Sequence, residues 1–288
     1  MKAPDLKKWA EDTITAFILS SPENNLQNAE NEKAWAEPLV GFANGADPLF
    51  EAYKDHVGPF HFTPLEIFNR TFPGISTQAE DLTVISWILP QSDKTKSDNR
   101  RETQYPSERW ARARIIGEKV NATLRSHVVA TLEAAGYAAV APQLSPFWER
   151  KESPKYGFAS CWSERHAAYA AGLGTFGLSD GLITPRGKAM RCGSVAANIR
   201  IPVPARPYQD HHAYCLFYPK GKCGKCIGRC PAGAISEKGH DKIACRKYIR
   251  EVTAVYVKTK LHMEGYACGL CQTGVPCESK IPALSDIN

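Results

Sequence analysis

Residues 223–231, Cys223-Gly224-Lys225-Cys226-Ile227-Gly228-Arg229-Cys230-Pro231, decide how this chain is read. Iron–sulfur clusters are held by runs of the form C-x2-C-x2-C-x3-C-P, in which three thiolates ligate one [4Fe–4S] cluster and the fourth reaches a second. The last three cysteines and the proline fit that spacing, while Lys220 stands where the first ligand belongs. Cys215 is the substitute, because residues 216–222 contain Pro219 and Gly221 and can fold back. A second run, Cys268-Gly269-Leu270-Cys271, places its last ligand late, at Cys277 rather than at Val275.

Eight of the ten cysteines lie from residue 215 onward, the number that two cubane clusters need. By cross-over logic, cluster one takes Cys215, Cys223, Cys226 and Cys277, and cluster two takes Cys230, Cys245, Cys268 and Cys271. Neighbouring Gly224, Gly228, Gly269 and Gly274 let backbone N–H groups approach the sulfurs. A tetrahedral zinc would use four of these thiols and leave four without a role. Disulfides fit poorly, since a chain of 288 residues with no apolar leader near its start needs no staples. Cys161 and Cys192 are spare and read as small buried hydrophobes.

From Arg206 onward there are 13 Lys and Arg against 7 Asp and Glu, so this segment holds the whole net charge of +6. Two thiolate-bound clusters would carry about −4 and largely offset it. The basic surplus is therefore only weak evidence for a nucleic-acid partner, which is not expected, and lysines near Cys223 equally suit an acidic electron donor. No stretch approaches the ~18 apolar residues of a membrane span, and a reduced cytoplasmic setting is expected.

Upstream, residues 82–89 form a nearly continuous β-branched and apolar run stopped by Pro90, the pattern of a buried strand. Residues 91–101 are polar and read as a mobile loop. Residues 107–135 carry Ile116, Val120, Leu124, Val128 and Leu132 at helical spacing, closed by Gly136, and residues 137–141 read as the next strand. Strand, helix, strand predicts a right-handed crossover and a partly parallel sheet. Residues 6–19 form an amphipathic helix and 38–43 a short strand, while 48–72 read as loop, either packed on the surface or covering one edge of a pocket. The prolines of residues 199–207 mark a boundary between domains 1–205 and 206–288.

Between these parts lies Glu164-Arg165-His166-Ala167-Ala168, running into Ala171-Gly172-Leu173-Gly174-Thr175-Phe176-Gly177 and then Leu182-Ile183-Thr184-Pro185. The glycines match GxGxxG formally, but an Ala-rich helix stands where a strand should precede them. They serve either close approach to a flat, bulky ligand or a helix end in a small-residue seam. This order of parts, with the two cysteine runs, resembles the epoxyqueuosine reductase and reductive dehalogenase superfamily over about residues 35–280.

The resemblance implies an α/β domain of the corrinoid-binding reductase type followed by a bacterial ferredoxin-like domain with two [4Fe–4S] clusters. A base-off cobalamin would lie between them, with electrons entering through the distal cluster and cobalt performing the reduction. It makes Glu164, Arg165, His166, Gly172, Gly174 and Gly177 candidate corrinoid contacts, His166 serving either a corrin amide or the Ala-rich helix. Dehalogenases of the superfamily use a tyrosine supported by a basic side chain, which makes Tyr156, near Lys155 and Arg165, the candidate proton donor; its other role is core packing.

Three features depart from the superfamily, and a fourth agrees with it. Phe158 and Ala159 occupy the neighbourhood where epoxyqueuosine reductases carry an acid. The short stretch after Cys277 has no tRNA-binding helical repeats, and no twin-arginine signal is present. Asp210-His211-His212 lacks the glycine of a D-x-H-x-x-G cobalamin motif, which agrees with a superfamily that has no histidine cobalt ligand. The expectation is a cytoplasmic, oxygen-sensitive, corrinoid-dependent oxidoreductase that reduces a small molecule, fed by a low-potential donor such as flavodoxin or ferredoxin. The alternative, from a different class, is a non-catalytic electron-transfer or corrinoid-handling protein serving a partner enzyme.

Overall fold

A computed structural model describes residues 5–287, without the side chains of Pro219, Lys220 and Ile287. The elements of the first 200 residues are α1 (Leu6–Ser20), β1 (Leu39–Asn44), α2 (Leu49–His56), α3 (Pro64–Thr71), β2 (Thr83–Pro90), α4 (Asp93–Arg101), α5 (Glu108–Ala134), β3 (Ala139–Val140), β4 (Arg150–Ser153), β5 (Gly157–Ser160), α6 (Glu164–Ala170), β6 (Thr175–Phe176), β7 (Leu182–Ile183) and β8 (Met190–Ala197).

The alternation of β2 sets the layers. Ile85, Trp87 and Leu89 pack with Ile14 and Ile18 of α1 and with Val120, Leu124 and Val128 of α5. Val84 and Ile88 face Phe50 and Tyr53 of α2, Phe68 of α3 and Ala168 of α6 on the opposite side. Each face of the strand is thus covered by helices, which is why the run is apolar at every second position in both phases.

The central sheet runs β1-β2-β8-β3, and every neighbouring pair is antiparallel. The expected partly parallel sheet is corrected accordingly. β2 and β3 do point the same way, as the strand, helix, strand pattern implies, but β8 lies between them and runs against both. Small residues let β8 into this position. Gly193 sits opposite Trp87, and a Cβ there would fall 2.4 Å from the indole. The indole Nε1 donates to Asn121 Oδ1 at 2.9 Å, and Asn121 Nδ2 donates to the Cys192 carbonyl at 2.9 Å, tying α5 to the sheet. Gly193→Ala is expected to cost about 1–3 kcal/mol by overpacking, read as a lower urea midpoint with an unchanged slope.

Two loop expectations are also corrected. Residues 91–101 contain α4, capped by Ser92, whose hydroxyl accepts from the Thr95 amide at 3.2 Å. Its buried residues are Thr95, Lys96 and Asn99, polar groups that no apolar periodicity could reveal. Residues 48–72 contain α2 and α3, the latter opened by a capping box between Thr63 and Glu66. Among the described residues no helix is long and apolar enough to cross a membrane.

From residue 206 the elements are short: α7 (Phe217–Lys220), α8 (Lys225–Gly228), the antiparallel hairpin β9 (Ile235–Ser236) and β10 (Gly239–His240), α9 (Lys242–Tyr248) and α10 (Ala254–Lys260). A π-helical turn, Ile249–Thr253, joins α9 to α10. This segment rests on α4 and the chain before β8. Arg100 pairs with Glu278, Asn99 Nδ2 donates to Thr273 Oγ1 at 3.1 Å, and the Lys188 amide donates to the Cys277 carbonyl at 2.8 Å.

Candidate functional site

Three cavities lie near where the C-terminal segment rests on the sheet domain. The first is lined by Cys215, Cys223, Cys226 and Cys277 together with Gly177, Leu178, Ile183 and Lys188. Residues 217–220 form one helical turn closed by Gly221 at φ +58°, and this fold-back leaves Cys215 on the cavity wall. Burial pushes the Cys277 thiol up to about 11, with Cys226, Cys215 and Cys223 among the neighbours that disfavour its charge.

The remaining cysteines neighbour one another in the same sense. Burial pushes Cys245 up to about 12, with Cys271 and Cys230 adding to it. Cys268 is pushed to about 11 by burial, with Cys245 and Cys230 nearby, and Cys271 to about 12, with Cys268 and Cys230 nearby. Only glycine fits at 269, where φ is +69° and a Cβ would lie 2.0 Å from the Trp110 ring. None of the ten cysteines is in a disulfide bond. Among the described residues no three His, Cys, Asp or Glu groups converge as they would around a single ion. The donor set is entirely thiol, the chemistry [4Fe–4S] clusters use. Thiols this reluctant to ionise release their protons to solvent at neutral pH only when a metal centre takes the proton's place on sulfur.

The second cavity, about 340 Å³, is lined by Glu164, Arg165, Trp148, Lys188, Met190 and Cys192 among others. Its wall carries an orphaned donor, the buried indole N–H of Trp148. Glu164 Oε1 accepts from Arg125 Nε at 3.1 Å and its other oxygen from Ser194 Oγ, so this carboxylate anchors α6 to α5 and β8. Burial outweighs Arg125 and raises its pKa. Burial likewise pushes Cys192 up to about 12.

The third cavity is a cleft of about 450 Å³ that shares Ser160, Ser163 and Arg165 with the second. Tyr156 stands in it at the tip of the β4–β5 hairpin, whose strands pair Ser153 with Gly157 and leave residues 154–156 as the turn. Gly157 closes that turn at φ +69°, the left-handed geometry of a three-residue hairpin loop. Ser153 Oγ donates to the Val57 carbonyl at 2.8 Å, pinning the hairpin to the end of α2. That contact brings His56 Nε2 to 2.8 Å from Tyr156 Oη and His56 Nδ1 to 3.2 Å from Lys155 Nζ.

Burial and then Lys155 lower the His56 pKa, so its imidazole is neutral at pH 7. Burial, Asp180 and Tyr218 raise that of Tyr156. Lys155, Arg165, Lys238 and Lys242 and five histidines line the cleft against one carboxylate, Asp180. Burial pushes Asp180 up, but His240, 2.9 Å away, and the nearby Arg165 and Lys242 hold it below the usual carboxylate value.

The candidate corrinoid contacts are dispersed. Arg165 lines both larger cavities and donates to the Asp180 carbonyl. His166 lines the cleft, its Nδ1 2.7 Å from Ser163 Oγ and its ring 4.7 Å from that of Tyr53. Gly172 ends α6 at φ +78° against Arg206 and Pro207, and Gly174 lies so close to β7 that a Cβ would meet the Ile183 carbonyl at 2.3 Å. Both belong to a packing seam. Gly177 lines the cysteine cavity. Sequence reasoning did not find His56, Asp180, His240, Lys242 or Lys188. The Asp210-His211-His212 run was noticed only as a failed cobalamin motif, yet both histidines line the cleft.

No family model matches the chain. In sequence it is similar to the epoxyqueuosine reductase of Bacillus anthracis, 30% identical over 119 residues that cover 40% of this chain and 29% of that protein. The match therefore spans less than a third of the curated relative. In fold it is similar to a catabolic reductive dehalogenase, with a TM-score of 0.51 at 18% identity over 86% of this chain and 31% of that one. A reductive dehalogenase structure described as suggesting a mechanism for B12-dependent dehalogenation matches with a TM-score of 0.50, 18% identity and the same coverage. The chain thus resembles the epoxyqueuosine reductase and reductive dehalogenase superfamily in sequence and in fold.

Proposed function

We propose that the chain is an iron–sulfur, corrinoid-dependent oxidoreductase that reduces a small anionic molecule, with Tyr156 as the proton donor. The observation that carries this reading is that the three cavities share wall residues. Lys188 belongs to both the cysteine cavity and the second one, and Ser160, Ser163 and Arg165 belong to both the second and the cleft. The similarity to epoxyqueuosine reductase and to a B12-dependent dehalogenase supports the choice of cofactors.

Two four-thiol sets would hold two [4Fe–4S] clusters, in a ferredoxin-like C-terminal domain beginning near residue 206. Trp148, Ser160, Ser163 and Arg165 would hold the corrinoid. When bound, the clusters relay single electrons and the corrinoid supplies a strongly reducing cobalt.

What the chain itself does is move a proton and hold a charge. A lysine ammonium has three donors and no acceptor, so Lys155 donates to His56 Nδ1. The proton of the neutral imidazole then sits on Nε2 and is donated to Tyr156 Oη. The phenol hydrogen is left free to point into the cleft, and the phenolate formed on donation keeps the His56 N–H as its partner. The cationic lining of the cleft favours an anion. An acidic low-potential donor of the flavodoxin or ferredoxin type fits the basic surplus after residue 206.

Anaerobic purification with metal analysis, followed by addition of cobalamin under EPR, tests the reading. About eight irons per chain and a base-off Co(II) signal are expected. Zinc without iron would sink the proposal, and iron with no corrinoid binding would favour the electron-carrier alternative.

A further inference from the structure

Lys188 is buried, 3% exposed, and its ammonium donates one hydrogen bond, to Ser179 Oγ at 3.1 Å. Among the described residues no carboxylate forms an ion pair with it. A buried ammonium without a counter-charge is strongly disfavoured and would have to lose its proton or move to water. Lys188 instead stands on the wall of the first cavity with Cys215, Cys223, Cys226 and Cys277. These are the four thiols of the first set. The backbone holds the residue there, because the Lys188 amide donates to the Cys277 carbonyl and the Ala189 amide to the Glu278 carbonyl at 3.1 Å. Gly187, at φ +77°, makes the tight turn before it, where a Cβ would fall 2.1 Å from the Glu278 carbonyl oxygen.

We infer that Lys188 is the counter-ion of the first thiol set and a positioning charge that raises the reduction potential of the cluster this set would hold. The inference rests on the cluster reading above. Each thiolate-ligated cluster carries about −2 when oxidised and gains one more negative charge on reduction. A fixed cation in a water-excluded site therefore stabilises the reduced form more than the oxidised one. Lys188 also lines the second cavity, so it stands on the wall between the first thiol set and that space.

The test is an EPR-monitored redox titration of the reconstituted full chain beside its K188M and K188R variants, with iron counted in each. In K188M the ratio of reduced to oxidised cluster at a fixed potential is expected to fall at least tenfold, a midpoint lower by about 59 mV. K188R should stay near the parent. K188M with full iron and an unchanged midpoint overturns the inference and leaves the cluster reading intact. A parent chain without iron overturns both. If K188M does not hold iron, K188R decides: iron retained with a near-parent midpoint supports the need for a cation, and iron lost equally from both overturns it.

Discussion

Tyr156→Phe should leave iron content and the fold unchanged and slow substrate reduction by about 10²–10⁴-fold, the usual share of a positioned proton donor. The variant keeps the ring and its packing between Lys155 and Lys242, whose ammonium groups lie 5.5 and 5.4 Å from the ring centre. It removes only the hydroxyl. The structure predicts a pH signature as well. Because the Tyr156 pKa is raised above its ordinary value of 10.0, the phenol stays protonated across the neutral range, and its loss as donor begins only in alkali. The His56 pKa lies below 6.5, so protonation of its imidazole affects the reaction only on the acid side. His56→Gln should therefore reduce the rate less than Tyr156→Phe does and remove the acid limb of the profile. A Tyr156→Phe enzyme with parental turnover would return Tyr156 to a packing role and move the donor elsewhere in the cleft.

Cys277→Ser is expected to lower the iron content from about eight to about four per chain, because each cubane needs all its thiolates. Cys277 lines the first cavity with Cys215, Cys223 and Cys226, while Cys230, Cys245, Cys268 and Cys271 keep their own contacts in the variant. Cys245→Ser should likewise leave about four irons, in the other set. The two remnants should differ in EPR line shape and midpoint, and the double variant should hold none. If Cys277→Ser retained all its iron, or Cys245→Ser left the same cluster behind, the assignment of thiols to sets would be wrong. Cys277 tests the assignment well, since it stands 47 residues beyond Cys230, and only the fold brings it back to Cys226.

Strand β2 and helix α5 were legible because their side chains repeat with the periods of the elements they form, one apolar on both faces and one apolar along a stripe. The two cysteine runs were legible because their ligands lie a few residues apart. Helices α2 and α4 were not, since α4 buries Thr95, Lys96 and Asn99 and carries no apolar period.

Strand β8 slipped between β2 and β3 because Gly193 makes room for the Trp87 ring, a fit visible only once the two are opposite each other. The same holds for the candidate site. Tyr156 became a candidate through the family resemblance and its basic neighbours, but His56 stands one hundred residues earlier and reaches it through the contact of Ser153 with Val57. Lys188, with nothing unusual around it in the sequence, acquires its meaning from burial among thiols that lie 27 to 89 residues further on.

Sequence by itself determined which thiols are available, how many there are, and which segments must be buried, because spacing and hydrophobic period act locally. Tertiary structure decided which histidine faces the phenol, which cation faces the thiols and which way the sheet runs, because those depend on how small residues allow distant segments to close against one another.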